Sequence, residues 1–235
     1  MQGYFDDDEF GRVIVTLRRG MRNVSFRWKN AQLHIGAPVG VSSDYIYRAL
    51  DEKREAIRRL SHPDVTFEIG QIIRCFRTSI TIGEEPKLKN SLAYGHRDDG
   101  TLYLNVPVGI DLGDEHVKKV ISRALSELMA PMAARLIIPF AQEEAKRLGL
   151  SPKRFEIGRG MRKLGHCTPD GVIQFSRNLM FMPEELVKCV VCHELAHLTY
   201  MDHSPAFHAL LNSYLGGKRA LLDRQINHFT WPIYR

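Results

Sequence analysis

The sequence predicts an α+β protein: a β-rich N-terminal lobe to about residue 110, then a mostly helical lobe holding a short β-sheet. Three observations predict it. Short Val-, Ile-, Phe- and Thr-rich runs alternate with turn residues as far as Val106. From about Asp114 the apolar spacing becomes helical and stays so to Leu148. Further on, the stretch from about Pro183 to Tyr200 again has helical spacing and carries His193-Glu194-Leu195-Ala196-His197.

Residues 1 to 10 are acidic and read as a frayed tail. Arg12 to Leu17, Asn23 to Trp28 and Gln32 to Ile35 read as short strands, with Arg19-Gly20 and Lys29-Asn30 as tight turns. Gly36-Ala37-Pro38 closes that unit. Ser42-Ser43-Asp44 then caps a helix to about Leu60, with Tyr45, Ile46, Ala49 and Ile57 as its apolar residues. Phe67 to Gly83 reads as one or two strands. Leu92 to His96 and Leu102 to Val106 form a hairpin across Asp98-Asp99-Gly100. The helical stretch that follows is expected to split or kink at Pro131 and Pro139 and to stop at Gly149. Phe155 to Gly158 and Val172 to Phe175 read as a strand pair joined through residues 159 to 171. Helices are then expected from about 183 to 200, from Ser204 to Leu215 and from Arg219 to Phe229, with Gly216-Gly217 as the last break. No internal repeat is visible.

The pattern H-E-x-x-H is followed by His203, six residues beyond His197. On a helix, His193 and His197 stand one turn apart and point the same way, so two imidazoles can share one metal ion. Glu194 lies on the adjacent face, where a carboxylate can hold a water at that ion. His203 completes a three-ligand set and leaves one coordination position open, as catalytic zinc sites do. Pro183-Glu184-Glu185 is a good first turn, with acids at the positive end of the helix dipole. Leu186, Val187, Val190, Val191, Leu195 and Leu198 bury the helix, where unpaired ionisable groups are costly. Ser204-Pro205 opens the next helix and holds His203 in a tight turn. The overlapping pattern Cys189-x-x-Cys192-His193 matches covalent haem attachment, and Cys/His zinc binding is a further alternative. Both cysteines fall within the apolar pattern and read as small buried hydrophobes instead.

The 235 residues are 44% hydrophobic and 26% charged, ordinary for a globular chain. The four cysteines, at 75, 167, 189 and 192, give no disulfide framework. With no basic and apolar leader in MQGYFDDDEF, a cytoplasmic setting is expected. No membrane span is expected, since the most apolar stretch, Met129 to Ala141, is short and interrupted by Pro131, Arg135 and Pro139. The net charge of +6 is uneven. Phe10 to Ser43 contains no acid but holds Arg12, Arg18, Arg19, Arg22, Arg27 and Lys29. A second basic stretch holds Lys153, Arg154, Arg159, Arg162 and Lys163. Such stretches attract nucleic acid or an acidic partner, or simply form solvated strand faces; no nucleic-acid-binding motif accompanies them.

Cys192-His193-Glu194-Leu195-Ala196-His197, Tyr200-Met201-Asp202-His203-Ser204-Pro205 and Phe207 together resemble the signature of the YgjP-like metallopeptidase family. The resemblance extends to Arg27 to Val39 with Ala37-Pro38, to Leu148-Gly149-Leu150, to Gly165-His166-Cys167 and Gly171-Val172-Ile173, and to Asn178-Leu179 with Pro183. Four positions depart from the family pattern: Lys163-Leu164 replaces Arg-Trp, His166 replaces Ser, and His208 replaces Trp. The resemblance implies one metallopeptidase domain over 11–235, with a β-rich lobe at about 11–110 and a zincin-like catalytic lobe at about 111–235. It also implies a distant similarity to SprT-like proteases, which act on proteins attached to DNA.

The expected chemistry is hydrolysis of a protein or peptide by Zn2+ held on His193, His197 and His203, with Glu194 as general base. Tyr200, His166 and His208 are candidate donors to the developing oxyanion. Metzincins carry glycine where Tyr200 stands, so that class is not expected. Two alternatives stay open: a DNA-associated interaction module with a structural or regulatory metal, and a hydrolase of non-peptide substrates.

Overall fold

The computed structural model describes residues 2–29, 32–60, 65–97, 100–158 and 163–234. The chain divides into two compact units, Met1–Asp64 and Val65–Arg235.

In the first unit, β1 (Gln2–Asp7), β2 (Gly11–Arg18), β3 (Ser25–Lys29) and β4 (Gln32–Pro38) form a sheet, followed by helix α1 (Ser43–Leu60). The strand order is β1-β2-β4-β3, with β2 and β4 parallel and both outer pairs antiparallel. Alternate residues Leu33, Ile35 and Ala37 of β4 are buried with Val13, and α1 covers them with Ile46, Leu50 and Ile57. The indole Nε1–H of Trp28 donates to Ile57 O at 3.1 Å, tying β3 to the helix.

The expected frayed tail is instead strand β1. Its acids work as a turn: Asp7 Oδ1 accepts from the backbone N–H of Glu9 and of Phe10, each at 3.0 Å. Gly11 leaves the turn at φ 63°. β4 also runs on through Pro38, because Gly36, Ala37 and Pro38 pair in parallel with Thr16, Leu17 and Arg18. The expected turn at Lys29-Asn30 lies outside the described residues at Asn30.

The second unit opens with the same plan. β5 (Ile72–Cys75), β6 (Thr78–Glu84), β7 (Ala93–His96) and β8 (Leu102–Val106) are followed by helix α2 (Glu115–Arg147). The order is β5-β6-β8-β7, again with the middle pair parallel and the outer pairs antiparallel. Each unit therefore begins as a ββββα module, a repeat the sequence does not display. Its one clear trace is at the fourth strand. Leu33 to Val41 and Leu102 to Ile110 align without gaps and share Leu, Pro, Val and Gly. In both, the residue after Pro-Val-Gly donates to the proline carbonyl, at 3.5 Å and 3.4 Å, and the glycine has φ 91° or 76°. That is the geometry of a type II turn, which favours glycine at its third position. The strands have diverged because pleated packing accepts many apolar residues.

The strands of residues 72–106 pack with α2, so the division between units follows Asp64 and not the expected neighbourhood of residue 110. The expected hairpin of β7 and β8 is present; Asp98 and Asp99 lie outside the described residues. α2 is one continuous helix of 33 residues. Pro131 and Pro139 both face solvent, and Ala133, Ile137, Phe140 and Ala141 around them are held in the core, so the helix continues past both. It is long and apolar enough to cross a membrane by composition, but half of its apolar window is buried within the fold.

A second sheet follows, of β9 (Arg154–Gly158), β10 (Gly165–Cys167) and β11 (Val172–Ser176), in the order β10-β11-β9. β9 and β11 are parallel and β10 is an antiparallel edge strand. β10 lies within the stretch expected to be only a connection, because three residues show no alternation to read. A short 3-10 helix (Arg177–Phe181) leads to α3 (Glu184–Ala196), α4 (Pro205–Tyr214) and α5 (Arg219–Asn227).

Candidate metal centre

α3 reaches its position through contacts just before it, at its first turn and along its length. Arg77, at the β5–β6 turn, makes a bidentate pair with Glu184 in the first turn of α3, at 2.9 and 3.0 Å. The carbonyl of Met180 accepts from the Phe76 N–H at 2.6 Å. Before the helix, fully buried Asn178 accepts from Ser126 Oγ of α2 at 2.8 Å, and Arg177 forks onto Glu127. Along the helix, Lys188 meets Glu144 of α2 at 3.1 Å.

His193 lies in the last turn of α3 and His197 is its C-cap residue, with φ −65° and ψ −17°. The helix ends there and does not continue to residue 200 as expected. The chain wraps back, so that the Thr199 and Tyr200 N–H groups both donate to Ala196 O. This wrap brings Tyr200 O to 2.9 Å from His197 Nδ1. With Nδ1–H donating to that carbonyl, the Nε2 lone pair is free to face inward. Ser204 then caps α4 by accepting from Phe207 N–H at 3.3 Å, which fixes His203 just ahead of the helix.

The three histidines converge. His193 Nε2 is 3.2 Å from His197 Nε2 and 3.2 Å from His203 Nε2. All three ligand atoms lie within 4.8 Å of one another. Lone pairs of neutral imidazoles facing at that range repel unless a cation sits among them. Metal–nitrogen bonds of about 2.0–2.1 Å at a tetrahedral angle put the nitrogens roughly 3.3 Å apart. The donor set therefore fits a divalent ion of the zinc type. Burial, helped by the neighbouring imidazoles, holds His193 down at about 4 and also lowers His197, so both are neutral and able to ligate at ordinary pH.

Glu194 is 5% exposed. Burial raises its carboxyl to about 7, against the opposing pull of Lys163 and of the Cys167 backbone N–H. β10 lies directly against it. A Cβ built on Gly165 would be 2.5 Å from Glu194 Oε1 and 2.6 Å from its Cγ. Only glycine fits there. Leu164 O accepts from Ser176 N–H and Thr168 N–H donates to Val172 O. The backbone groups of Gly165 and Cys167 consequently point away from β11, to the other edge of β10, where the Cys167 N–H meets Glu194.

The site also contains a residue with no role assigned from sequence. Phe207 is fully buried, and its ring centroid is 4.6 Å from His197, 4.9 Å from His203 and 5.0 Å from His193. It stacks on His197 with 27° between the planes and forms the floor of the triad. Its sequence signal is its place four residues after His203, in the first turn of a capped helix.

The three candidate oxyanion donors divide. Tyr200 serves His197 through its backbone carbonyl, and its side chain is exposed. His166 is exposed on β10. His208 lines a cavity of about 450 Å³ beside Glu194, with Leu164, Val190, Leu211 and Ile226 as apolar wall and Lys163 and Arg219 as cations. His208 Nδ1 is buried with no hydrogen-bond partner among the described residues. Cys189 and Cys192 are buried in the core, which pushes their thiols up to about 12 and about 11. They present no thiolate to a haem or a metal. Of the second basic stretch, Lys153 pairs with Asp170 and Arg154 with Glu156. Arg159 and Arg162 lie outside the described residues.

Compared with known proteins, residues 22–224 match the family described as YgjP-like, metallopeptidase domain. No curated protein and no solved structure matches the chain.

Proposed function

From the premise that this chain belongs to the YgjP-like metallopeptidase family, and so is a metal-dependent hydrolase, we propose that it is a zinc peptidase whose general base is Glu194. The observation that carries the proposal is the convergence of His193, His197 and His203 at 3.2 Å spacings beside a buried carboxylate. The imidazoles would hold the ion, and Tyr200 O and Phe207 fix two of them in place. Zinc in such a site supplies Lewis-acid polarisation of a water and of the scissile carbonyl.

Glu194 takes a proton from the attacking water as the new C–O bond forms. It returns that proton to the amide nitrogen as the C–N bond breaks. A carboxyl near 7 suits both halves of that exchange. The open edge of β10 supports a peptide substrate. An extended chain pairing with the outward groups of Gly165 and the Cys167 carbonyl is carried past Glu194, and its side chain enters the cavity beneath. The four cysteines are free thiols, which suits a reducing compartment such as the cytoplasm.

Glu194→Gln tests the reading on peptide, ester and small amide substrates. Peptide hydrolysis that vanishes in the variant while metal stays bound supports it. Full activity in the variant removes Glu194 as base, and activity on esters alone removes the peptidase assignment.

A further inference from the structure

The first unit covers its sheet with α1 on one side only. The other face is formed by the alternate residues that point away from the core. Register places Arg27, His34, Ile14 and Tyr4 in one row across all four strands. Gln32, Arg12 and Asp6 form a second row, and Ser25, Gly36, Thr16 and Gln2 a third. Arg18 stands at the end of β2 on the same face. Arg12, Arg18 and Arg27 are exposed, and Tyr4 is 63% exposed. The Arg12 guanidinium stacks over the Tyr4 ring at 4.5 Å.

The unit's acids lie mostly on the side of α1, a helix that also carries Arg48, Lys53 and Arg54. Asp7, Glu9 and Asp51 gather around Arg54 of α1. Asp44, Glu52 and Glu55 lie on α1 itself. Among the described residues, Asp6 is the one acid on the open face, and it pairs with Arg12. A solvated strand face in a mildly basic protein does not require acids to be so scarce on it.

The second ββββα module supplies an internal control. Its matching row reads Gly95, Tyr103, Thr81 and Ile72, with no charge in the row itself; Arg74 shares the face and the Arg97 guanidinium lies over the Tyr103 ring at 5.3 Å. The topology therefore forms without Arg27 or His34, and their presence in the first unit calls for another reason.

We propose that this open face binds single-stranded nucleic acid, with Arg18 and Arg27 on phosphates and Tyr4 and His34 against bases. The face is four strands wide, about 14 Å between its outer strands. A duplex major groove admits a helix or a two-stranded ribbon and not a four-stranded sheet. Unstacked bases instead lie on exposed aromatic rings while arginines follow the backbone. An anionic membrane would call for apolar side chains to insert, and the face offers Ile14 and Met21, which packs over Gly36, both half-buried.

The test is fluorescence anisotropy of the full chain with labelled oligo(dT) and oligo(U) of about 16 nucleotides, from about 50 mM salt upward. Tyr4→Ala is expected to weaken binding about fivefold or more, and Tyr4→Phe to keep it. Arg18→Ala and Arg27→Ala are each expected to weaken it several-fold and to flatten the log–log salt slope by about 0.7. Arg48→Ala, on the exposed side of α1, is expected to change nothing. Thermal midpoints of all variants are expected to match the parent, which separates lost binding from lost folding. The proposal is overturned by no binding at low salt, by equal loss in Arg48→Ala, or by full binding in Tyr4→Ala and Arg27→Ala. Tighter binding to duplex DNA or to phosphatidylserine vesicles also overturns it.

Discussion

Gly165 and Glu194, twenty-nine positions apart in sequence, touch so closely that any side chain at 165 collides with the carboxylate. The edge strand and the Glu194 carboxylate are built as one surface. Gly165→Ala must push Glu194 out of place, since the nearest atom to the new Cβ is Oε1 at 2.5 Å. Misplacement by about 1 Å can cost about a hundredfold in rate. We expect turnover to fall by at least about tenfold while bound metal stays unchanged, as read by steady-state kinetics beside metal analysis.

Phe207 supports all three imidazoles from below. Phe207→Ala opens a cavity under the triad and is expected to cost about 3–5 kcal/mol in stability. Metal affinity should fall with it, because His197 and His203 lose their packing surface. Phe207→Leu keeps most of the volume and should cost less on both counts. Thermal denaturation with and without metal measures both effects.

The paired glycines of the repeat make a matched prediction. Gly40 and Gly109 hold φ 91° and 76° in equivalent turns. Alanine at either position enters the left-handed region at a cost of about 1–2 kcal/mol. A Cβ meets nothing within 4 Å at either site, so the penalty is backbone strain alone. Chemical denaturation of Gly40→Ala and Gly109→Ala should show losses of similar size.

Asp7 gives the first unit an acid limit. The Arg54 guanidinium, with the Phe10 and Glu9 amides, lowers its carboxyl from 3.8 to about 2. A depressed carboxyl stabilises the fold above its unfolded value and loses that contribution as pH falls through the folded one. The contribution is therefore full above about pH 4 and fades towards pH 2. The lowering is worth roughly 1–2 kcal/mol after screening at the part-exposed Arg54. Trp28 emission during acid titration reports it, and Arg54→Met should remove most of this pH dependence.

The clustering of His193, Glu194, His197 and His203 was legible because helical spacing is a local property and the four lie within eleven residues. The supports of that set were not legible, for specific reasons. Gly165 acts through the atom it lacks, Tyr200 through a backbone carbonyl, and β10 is too short to show alternation. β1 was hidden by its acids, which looked like a solvated tail until Asp7 proved to cap a turn and meet Arg54. The repeated module was hidden because only the turn after its fourth strand needs particular residues. Pro131 and Pro139 misled for a related reason: a proline on the solvent side of a well-packed helix does not end it.

The most direct test of the metal centre is metal content per chain, measured on protein purified without added metal, for the parent and for His203→Ala. The account predicts close to one zinc per chain in the parent and little or none in the variant. A parent that carries no metal and takes up none on titration, or a variant that keeps its zinc, would contradict the three-histidine site.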